Sequence, residues 1–164
     1  PASWRRRPPA RWRAAERARR CIGVPRAGYI ARTPTPPVLP RHVYVHVPFC
    51  ARRCAYCDFA IAVRSRVPVD EYLGALEREL TLRLGEAPPP ADRAAIDTLY
   101  LGGGTPSRLG PDGVARAVAL LGRWFAPVPG AEVTLEANPD DVSVDAVRAW
   151  RAAGIHRLSL GGQT

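Results

Sequence analysis

From residue 42 onward, short β-branched and aromatic runs alternate with longer amphipathic segments, and this alternation constrains the fold more than any other feature. The short runs have the length and composition of buried strands, whereas the longer segments repeat apolar residues at helical spacing. Regular alternation of strand and helix favours right-handed crossovers, which place the strands side by side in a parallel sheet. The sequence therefore predicts an α/β fold, with the sheet either open or curved into part of a barrel. The four predicted strands are HVYVHV, AIDTLYLGGGTP, AEVTLEANP and HRLSLGGQ, and the three predicted helices are VDEYLGALERELTLRLG, GPDGVARAVALLGRWF and SVDAVRAWRAAG.

The helix ends carry recognisable signals. Gly85 and Gly154 follow the first and third predicted helices, where a glycine commonly stops a helix, and Ser143 is placed to cap the third. In the second predicted helix, one apolar face is expected to include Val114, Val118, Leu121 and Phe125.

Chemically distinctive residues follow each predicted strand. In parallel α/β folds, functional groups gather at the carboxyl ends of the strands, because the loops that leave those ends share one edge of the sheet. The first strand is followed by a cysteine-rich loop, the second ends in three glycines and a threonine, the third in a segment with Glu136 and the fourth in a segment with Gln163. We expect these groups to form one site on the same edge.

Three of the four cysteines, Cys50, Cys54 and Cys57, lie within eight positions of one another. A structural disulfide would leave one thiol over, and a strain-free bridge within so short a loop is unfavourable. A zinc site would need a fourth ligand, for which His46 or His42 is the nearby candidate. An iron–sulfur cluster with three cysteine ligands would keep one iron open for a chelating substrate, and this interpretation fits the other strand ends best. Zinc and unligated thiols remain the alternatives at this point.

The spacing Cys50-x3-Cys54-x2-Cys57, with Tyr56 before the last cysteine, resembles the signature of the radical S-adenosylmethionine (SAM) superfamily. The segments YVHVPFC, CDF, LYLGGGTPS, TLEANPD and GIHRLSLGGQT together resemble the oxygen-independent coproporphyrinogen III oxidase family, and within it the heme-chaperone (HemW) branch. The resemblance runs from about Val43 to the end of the chain. It implies a partial radical-SAM (β/α) barrel with the first four strands and three helices.

The resemblance also implies roles for particular residues. Cys50, Cys54 and Cys57 would ligate a [4Fe–4S] cluster whose open iron chelates SAM. The residues near SAM would come from all four strand ends, with Tyr44 at the end of the first strand and Tyr56 in the loop. The other implied SAM contacts are Gly103, Gly104, Thr105, Glu136 and Gln163.

Phe59 separates the two branches of the family. The oxidases carry a further cysteine two residues after the last cluster ligand, whereas this chain has Phe59 at that position. The resemblance therefore favours a chaperone that binds heme and passes it to acceptor proteins, with a separate electron donor for the cluster. The alternatives are an oxidase that decarboxylates coproporphyrinogen III and a zinc-stabilised module without redox chemistry.

The positive charge of the chain belongs to its first 41 residues. The net charge is +9, but residues 1–41 hold eleven arginines and one glutamate, while residues 42–164 hold thirteen arginines and fourteen acidic residues. Nucleic-acid binding is therefore not expected of residues 42–164. Residues 1–41, rich in Arg, Pro and Ala, are predicted to be a disordered tail, and residues 42–164 to be part of a radical SAM core domain.

The chain contains no methionine and stops after a predicted strand, so we expect a fragment of a longer protein. It has no apolar run long enough to span a membrane. Reduced thiols and an oxygen-sensitive cluster favour the cytoplasm, with organelle import the alternative if the tail is a transit peptide.

Overall fold

The computed structural model describes residues 39–161 of the chain. The basic tail up to residue 38 and the predicted SAM contact Gln163 lie outside the described residues. Within residues 39–161 the chain forms six strands and three α-helices. These are β1 (His42–Val47), β2 (Phe49–Cys50), β3 (Ala62–Val63), α1 (Val69–Leu84), β4 (Ala94–Gly103), α2 (Gly110–Leu121), β5 (Phe125–Ala137), α3 (Val144–Ala152) and β6 (Arg157–Leu160).

Four of the strands form one parallel sheet in the order β1-β4-β5-β6. Each step from one sheet strand to the next passes through one of the three helices, as the alternation in the sequence predicts. The register places Val47 beside Gly103 and Ala137 beside Leu160, so the carboxyl ends of all four strands meet at one edge. The predicted α/β fold with parallel strands is confirmed.

The helices pack on one face of this sheet and build the apolar core there. Successive strand residues point to opposite faces, and alternate residues of β1, β4 and β5 are buried against the helices. The buried strand residues include Val45, Val47, Leu99, Leu101, Val133 and Leu135, and the helix residues that they meet in the core include Leu73, Leu80, Val114, Leu121 and Trp150. The alternation assigns polar and aromatic side chains, Tyr44, His46, Tyr100 and Glu136 among them, to the opposite face.

Two helix ends agree with the sequence signals. The Ser143 side chain accepts a hydrogen bond from the Ala146 amide at 3.1 Å, which satisfies one of the free amides at the start of α3. Gly85 follows α1 with φ of 83°, and its amide donates to the Thr81 carbonyl. A glycine is favoured at this left-handed position because a Cβ would be strained there.

The predicted end of the second helix is wrong. Helix α2 ends at Leu121, and Phe125 begins β5, where it pairs with Ala94. Between them the chain turns so that the buried Trp124 donates from Nε1 to the Gly85 carbonyl at 3.0 Å. The apolar side chain of Phe125 fits the helical spacing, which explains the wrong prediction. Its backbone instead pairs with β4, and the side chain is buried from the strand.

Two short strands lie outside the predicted pattern. β2 and β3 pair in parallel and bring the two ends of the cysteine loop, residues 50–62, together. The Ala62 amide donates to the Pro48 carbonyl at 2.7 Å, and the Arg64 amide donates to the Cys50 carbonyl at 3.0 Å. The loop is therefore closed at its base by backbone hydrogen bonds.

Arg41 is bonded to the sheet, although the boundary predicted from the sequence places it as the last residue of the tail. Its guanidinium bonds both carboxylate oxygens of Asp97 at 2.7 and 2.8 Å, and its carbonyl accepts from the Asp97 amide. None of the helices within residues 39–161 is long and apolar enough to cross a membrane.

Candidate functional site

The glycine run Gly102–Gly104 at the end of β4 supports the start of the cysteine loop. The Gly104 amide donates to the Val47 carbonyl at 2.8 Å. A Cβ added to Gly104 would lie 2.7 Å from the carbonyl carbon of Pro48 and 2.8 Å from its oxygen. The two backbones therefore approach so closely that glycine is required at position 104.

Glu136 is held by two groups from β4. The Gly103 amide donates to Oε2 at 2.9 Å, and the Tyr100 hydroxyl donates to Oε1 at 2.8 Å. Gly103 has φ of 111°, a backbone conformation that glycine adopts more readily than residues with a Cβ. Burial raises the pKa of the Tyr100 hydroxyl, and the hydrogen bond to Glu136 raises it further. These contacts join the ends of β4 and β5 at a carboxylate that is only half-buried.

Aromatic and imidazole side chains connect this carboxylate to the cysteine loop. Tyr44 stacks on Tyr100, with ring centroids 6.1 Å apart, and its hydroxyl lies 3.1 Å from Nδ1 of His46. Nε2 of His46 lies 2.8 Å from the carbonyl oxygen of Ala60 in the loop. The structure places Tyr44 within β1 rather than at its end, two residues before His46.

Both ring nitrogens of His46 lie within hydrogen-bond distance of other groups of the protein. Because one nitrogen meets the Tyr44 hydroxyl and the other the Ala60 carbonyl, neither is free to complete a zinc site in this arrangement. His42 is bonded through Nδ1 to the Thr98 hydroxyl at 3.1 Å, near the other end of β1. The histidines therefore orient side chains and the loop.

The three loop cysteines are reduced and half-buried. Cys50 is the one tied to the sheet edge, because the Thr105 hydroxyl lies 3.6 Å from its sulfur. The Cys57 amide donates to the Cys54 carbonyl at 3.2 Å, and a hydrogen bond with Cys54 raises the pKa of the exposed Tyr56 hydroxyl. Among residues 39–161 no three His, Cys, Asp or Glu side chains gather closely enough to hold a metal ion. The thiols share one closed loop, but their sulfur atoms do not converge.

The donor set nevertheless fits an iron–sulfur cluster and SAM. Three thiols on one loop are the soft ligands that iron–sulfur clusters require. The Thr105 hydroxyl lies beside Cys50, and the same edge of the sheet carries the glycine backbone and the Glu136 carboxylate. Such groups can bind the carboxylate, ammonium and hydroxyl groups of an amino-acid nucleoside.

The structure thus brings together most of the residues that the sequence singles out, namely Tyr44, Cys50, Gly103, Gly104, Thr105 and Glu136. Cys54, Cys57 and Tyr56 lie further along the loop, without a described contact to the Glu136 carboxylate. The sequence reasoning missed Tyr100 and Ser107. Strand alternation could have indicated Tyr100, because it lies two residues before Gly102 and therefore on the same face of β4 as the start of the glycine run. Tyr44 pairs with Tyr100 and lies on that face as well.

A family model of the radical SAM superfamily matches residues 44–164, which is most of the chain. The chain belongs to the radical SAM superfamily. This radical SAM chain is 37% identical to the heme chaperone HemW of Bacillus subtilis over 125 residues, covering 76% of this chain and 32% of the relative. It is 41% identical over 131 residues to HemW of Mycobacterium tuberculosis, covering 78% of this chain and 33% of the relative.

Oxidases of the same superfamily are about as similar. The chain is 38% identical over 128 residues to the oxygen-independent coproporphyrinogen III oxidase of Salmonella typhimurium, covering 77% of this chain and 27% of the relative. Among solved structures, coproporphyrinogen III oxidase (HemN) from Escherichia coli, described as a radical SAM enzyme, superposes with a TM-score of 0.64 at 34% identity. That superposition covers 76% of this chain and 28% of HemN. The radical SAM chain thus spans about a third of the length of its HemW relatives.

Proposed function

We propose that this chain is part of a heme chaperone of the HemW type, a radical SAM protein that binds heme and transfers it to acceptor proteins. In this proposal residues 42–164 are part of the radical SAM core domain and residues 1–41 are a basic tail. The partners are heme, an electron donor and heme-acceptor proteins. The location is the cytoplasm, or an organelle if the tail is a transit peptide.

The observation that carries the choice of chaperone over oxidase is Phe59. This side chain ends the CDF segment and is 67% exposed. The family resemblance implies a further cysteine at this position in the oxidases. A phenylalanine can neither ligate a metal nor take part in thiol chemistry, whereas an exposed aromatic ring in the cysteine loop suits contact with a flat porphyrin. The oxidase relatives are as similar in sequence as the chaperones, so coproporphyrinogen III oxidase activity is the second candidate.

The cluster would be held by Cys50, Cys54 and Cys57, and a bound [4Fe–4S] cluster with SAM would supply reductive cleavage of SAM. Residues of this chain would surround the cluster and SAM. The Thr105 hydroxyl lies against the Cys50 sulfur, where a hydrogen bond would raise the reduction potential of a cluster. The remaining SAM contacts in this proposal are Tyr44, Tyr56, Gly103, Gly104, Glu136 and Gln163.

Heme handling and porphyrin decarboxylation can be separated in one preparation of the full-length protein. After anaerobic reconstitution, we expect stable, stoichiometric heme binding by absorbance titration and transfer of that heme to an apo-acceptor. We expect no loss of carbon dioxide from coproporphyrinogen III when SAM and reductant are supplied. Decarboxylation without stable heme binding would overturn the chaperone proposal in favour of the oxidase.

The cluster itself has a matched cysteine control. Cys54→Ala removes a proposed ligand, so iron and sulfide content and the SAM-induced change in the cluster spectrum should be lost. Cys21→Ala removes the fourth cysteine, which lies outside the proposed site, and should leave these properties unchanged. Stoichiometric zinc without sulfide in the purified protein would instead identify a zinc-stabilised module.

A further inference from the structure

Ser107 lies in a short 3-10 turn, Pro106–Leu109, which Thr105 separates from the glycine run, and is 2% exposed. Its hydroxyl donates to Oδ2 of Asp141 at 2.6 Å and accepts from the Asn138 amide at 3.1 Å. This buried hydroxyl uses its donor and one of its acceptor lone pairs, and its bond to a carboxylate is of the stronger, charge-assisted kind. Ser107 therefore fixes two points of the loop that follows β5.

The two residues that Ser107 holds, Asn138 and Asp141, follow Glu136, the half-buried carboxylate of the candidate site. Asn138 comes two residues after Glu136, and its side chain accepts from the Asp140 amide at 3.1 Å, which begins the turn Pro139–Asp141. On the other side, Ser107 comes two residues after Thr105. The Ser107 hydroxyl thus joins the loop after β4 to the loop after β5, two residues beyond Thr105 on one side and two residues beyond Glu136 on the other.

The ends of the two strands that lead into these loops are joined at the site itself by the Gly103 amide and the Glu136 carboxylate. Both of these groups are proposed to contact SAM. A ligand that accepts from the Gly103 amide would compete with Glu136 for that donor and could displace their 2.9 Å hydrogen bond. The paired register of β4 and β5 runs as far as Leu101 and Leu135, so this loss would weaken the link between the two strand ends beyond that pair. The Ser107 contacts use none of the groups that are proposed to contact SAM, so SAM would not compete for them.

We propose that Ser107 is a positioning residue that keeps the glycine run and Glu136 at a fixed separation once SAM displaces their mutual hydrogen bond. This inference rests on the proposed assignment of SAM to these two loops. It predicts that losing the Ser107 hydroxyl weakens SAM binding without removing any group that touches SAM.

The test compares Ser107→Ala with Thr134→Val in the full-length protein. Thr134 offers a matched control, because its buried hydroxyl also lies within hydrogen-bond distance of a carboxylate, Oε1 of Glu132 at 3.1 Å, but it lies within β5 and not in either loop. We expect both variants to lower the thermal midpoint to a similar extent. SAM dissociation constants from the cluster spectrum should rise about tenfold for Ser107→Ala and less than about twofold for Thr134→Val.

Hydrogen exchange of the Asn138 amide supplies a readout that needs neither cluster nor SAM. That amide loses its acceptor in Ser107→Ala and should exchange faster, while amides in the middle of β5 keep their protection. Unchanged SAM affinity in a folded Ser107→Ala protein, or an equal loss in Thr134→Val, would refute the positioning role. If Ser107→Ala does not fold, Asp141→Asn keeps an acceptor and Asp141→Ala does not, and the first should bind SAM more tightly than the second.

Failure of this inference can be told apart from failure of the proposed function. A wild-type protein that binds no SAM would overturn the proposed function, even if Asn138 exchange still responds to Ser107→Ala. A wild-type protein that binds SAM, with a Ser107→Ala variant that binds it equally well, would overturn the positioning role alone.

Discussion

A methyl group at position 104 would collide with the backbone that begins the cysteine loop. In Gly104→Ala the new Cβ would lie 2.7 Å from the Pro48 carbonyl carbon and 3.0 Å from the Phe49 nitrogen. Carbon atoms in favourable contact are about 3.5–4.0 Å apart, so one backbone must retreat by about 0.8 Å. Overpacking of this kind costs about 1–3 kcal/mol, and loss of the adjacent hydrogen bond from the Gly104 amide to Val47 would add about 1 kcal/mol.

We therefore expect Gly104→Ala to lower the opening free energy of β1 and β4 by about 2–4 kcal/mol. Native-state hydrogen exchange at increasing urea concentration measures this quantity strand by strand. The displaced loop should also carry less iron after reconstitution, because Cys50 follows Phe49 directly.

Gly74→Ala supplies the control in the same protein. Gly74 lies inside α1, and the nearest atom to an added Cβ would be the flexible end of Arg78 at 3.4 Å. Alanine is the better helix former, so this change should stabilise the protein by up to about 1 kcal/mol. If Gly104→Ala alters the opening free energy by less than about 0.5 kcal/mol, the reasoning from close backbone approach is wrong.

Three further changes test the fold. Ser143→Ala removes the cap of α3 and should lower the free energy of unfolding by about 1 kcal/mol in urea denaturation; an unchanged midpoint would contradict the cap. Trp124→Phe leaves the Gly85 carbonyl without its indole donor and should cost about 1–3 kcal/mol by the same assay, and a variant as stable as the wild type would argue against this contact. Arg41 holds the pKa of Asp97 below its ordinary value. The Asp97 carboxylate therefore stabilises the fold above its unfolded-state pKa of about 4, and this contribution is lost as pH falls through the lower folded-state pKa. Asp97→Asn should reduce the loss of thermal midpoint between about pH 5 and pH 2, and parallel curves for the two proteins would refute the link.

The regular elements follow from the sequence because they depend on local periodicity and on end signals. The leucines of α1, the cap at Ser143 and the stop at Gly85 each act within a few residues, and the structure agrees with them. Phe125 is the exception, because its spacing suits a helix while its position is decided by pairing with β4. Strands β2 and β3 could not be predicted, since two residues each carry too weak a pattern and their pairing depends on how the loop closes.

The candidate site likewise has features that follow from the sequence and features that only the tertiary structure decides. By itself the sequence determined which chemical groups follow the strands, because the cysteine spacing, the glycine run and Glu136 are local features. It also indicated that they share an edge, because parallel strands end together. Tertiary structure decided which group meets which. The pairing of the Gly103 amide with Glu136, the contact of His46 with the Ala60 carbonyl and the link from Ser107 to Asp141 each join residues at least 14 positions apart. Such contacts depend on strand register and backbone approach within about an ångström, and no periodicity in the chain records distances of that kind.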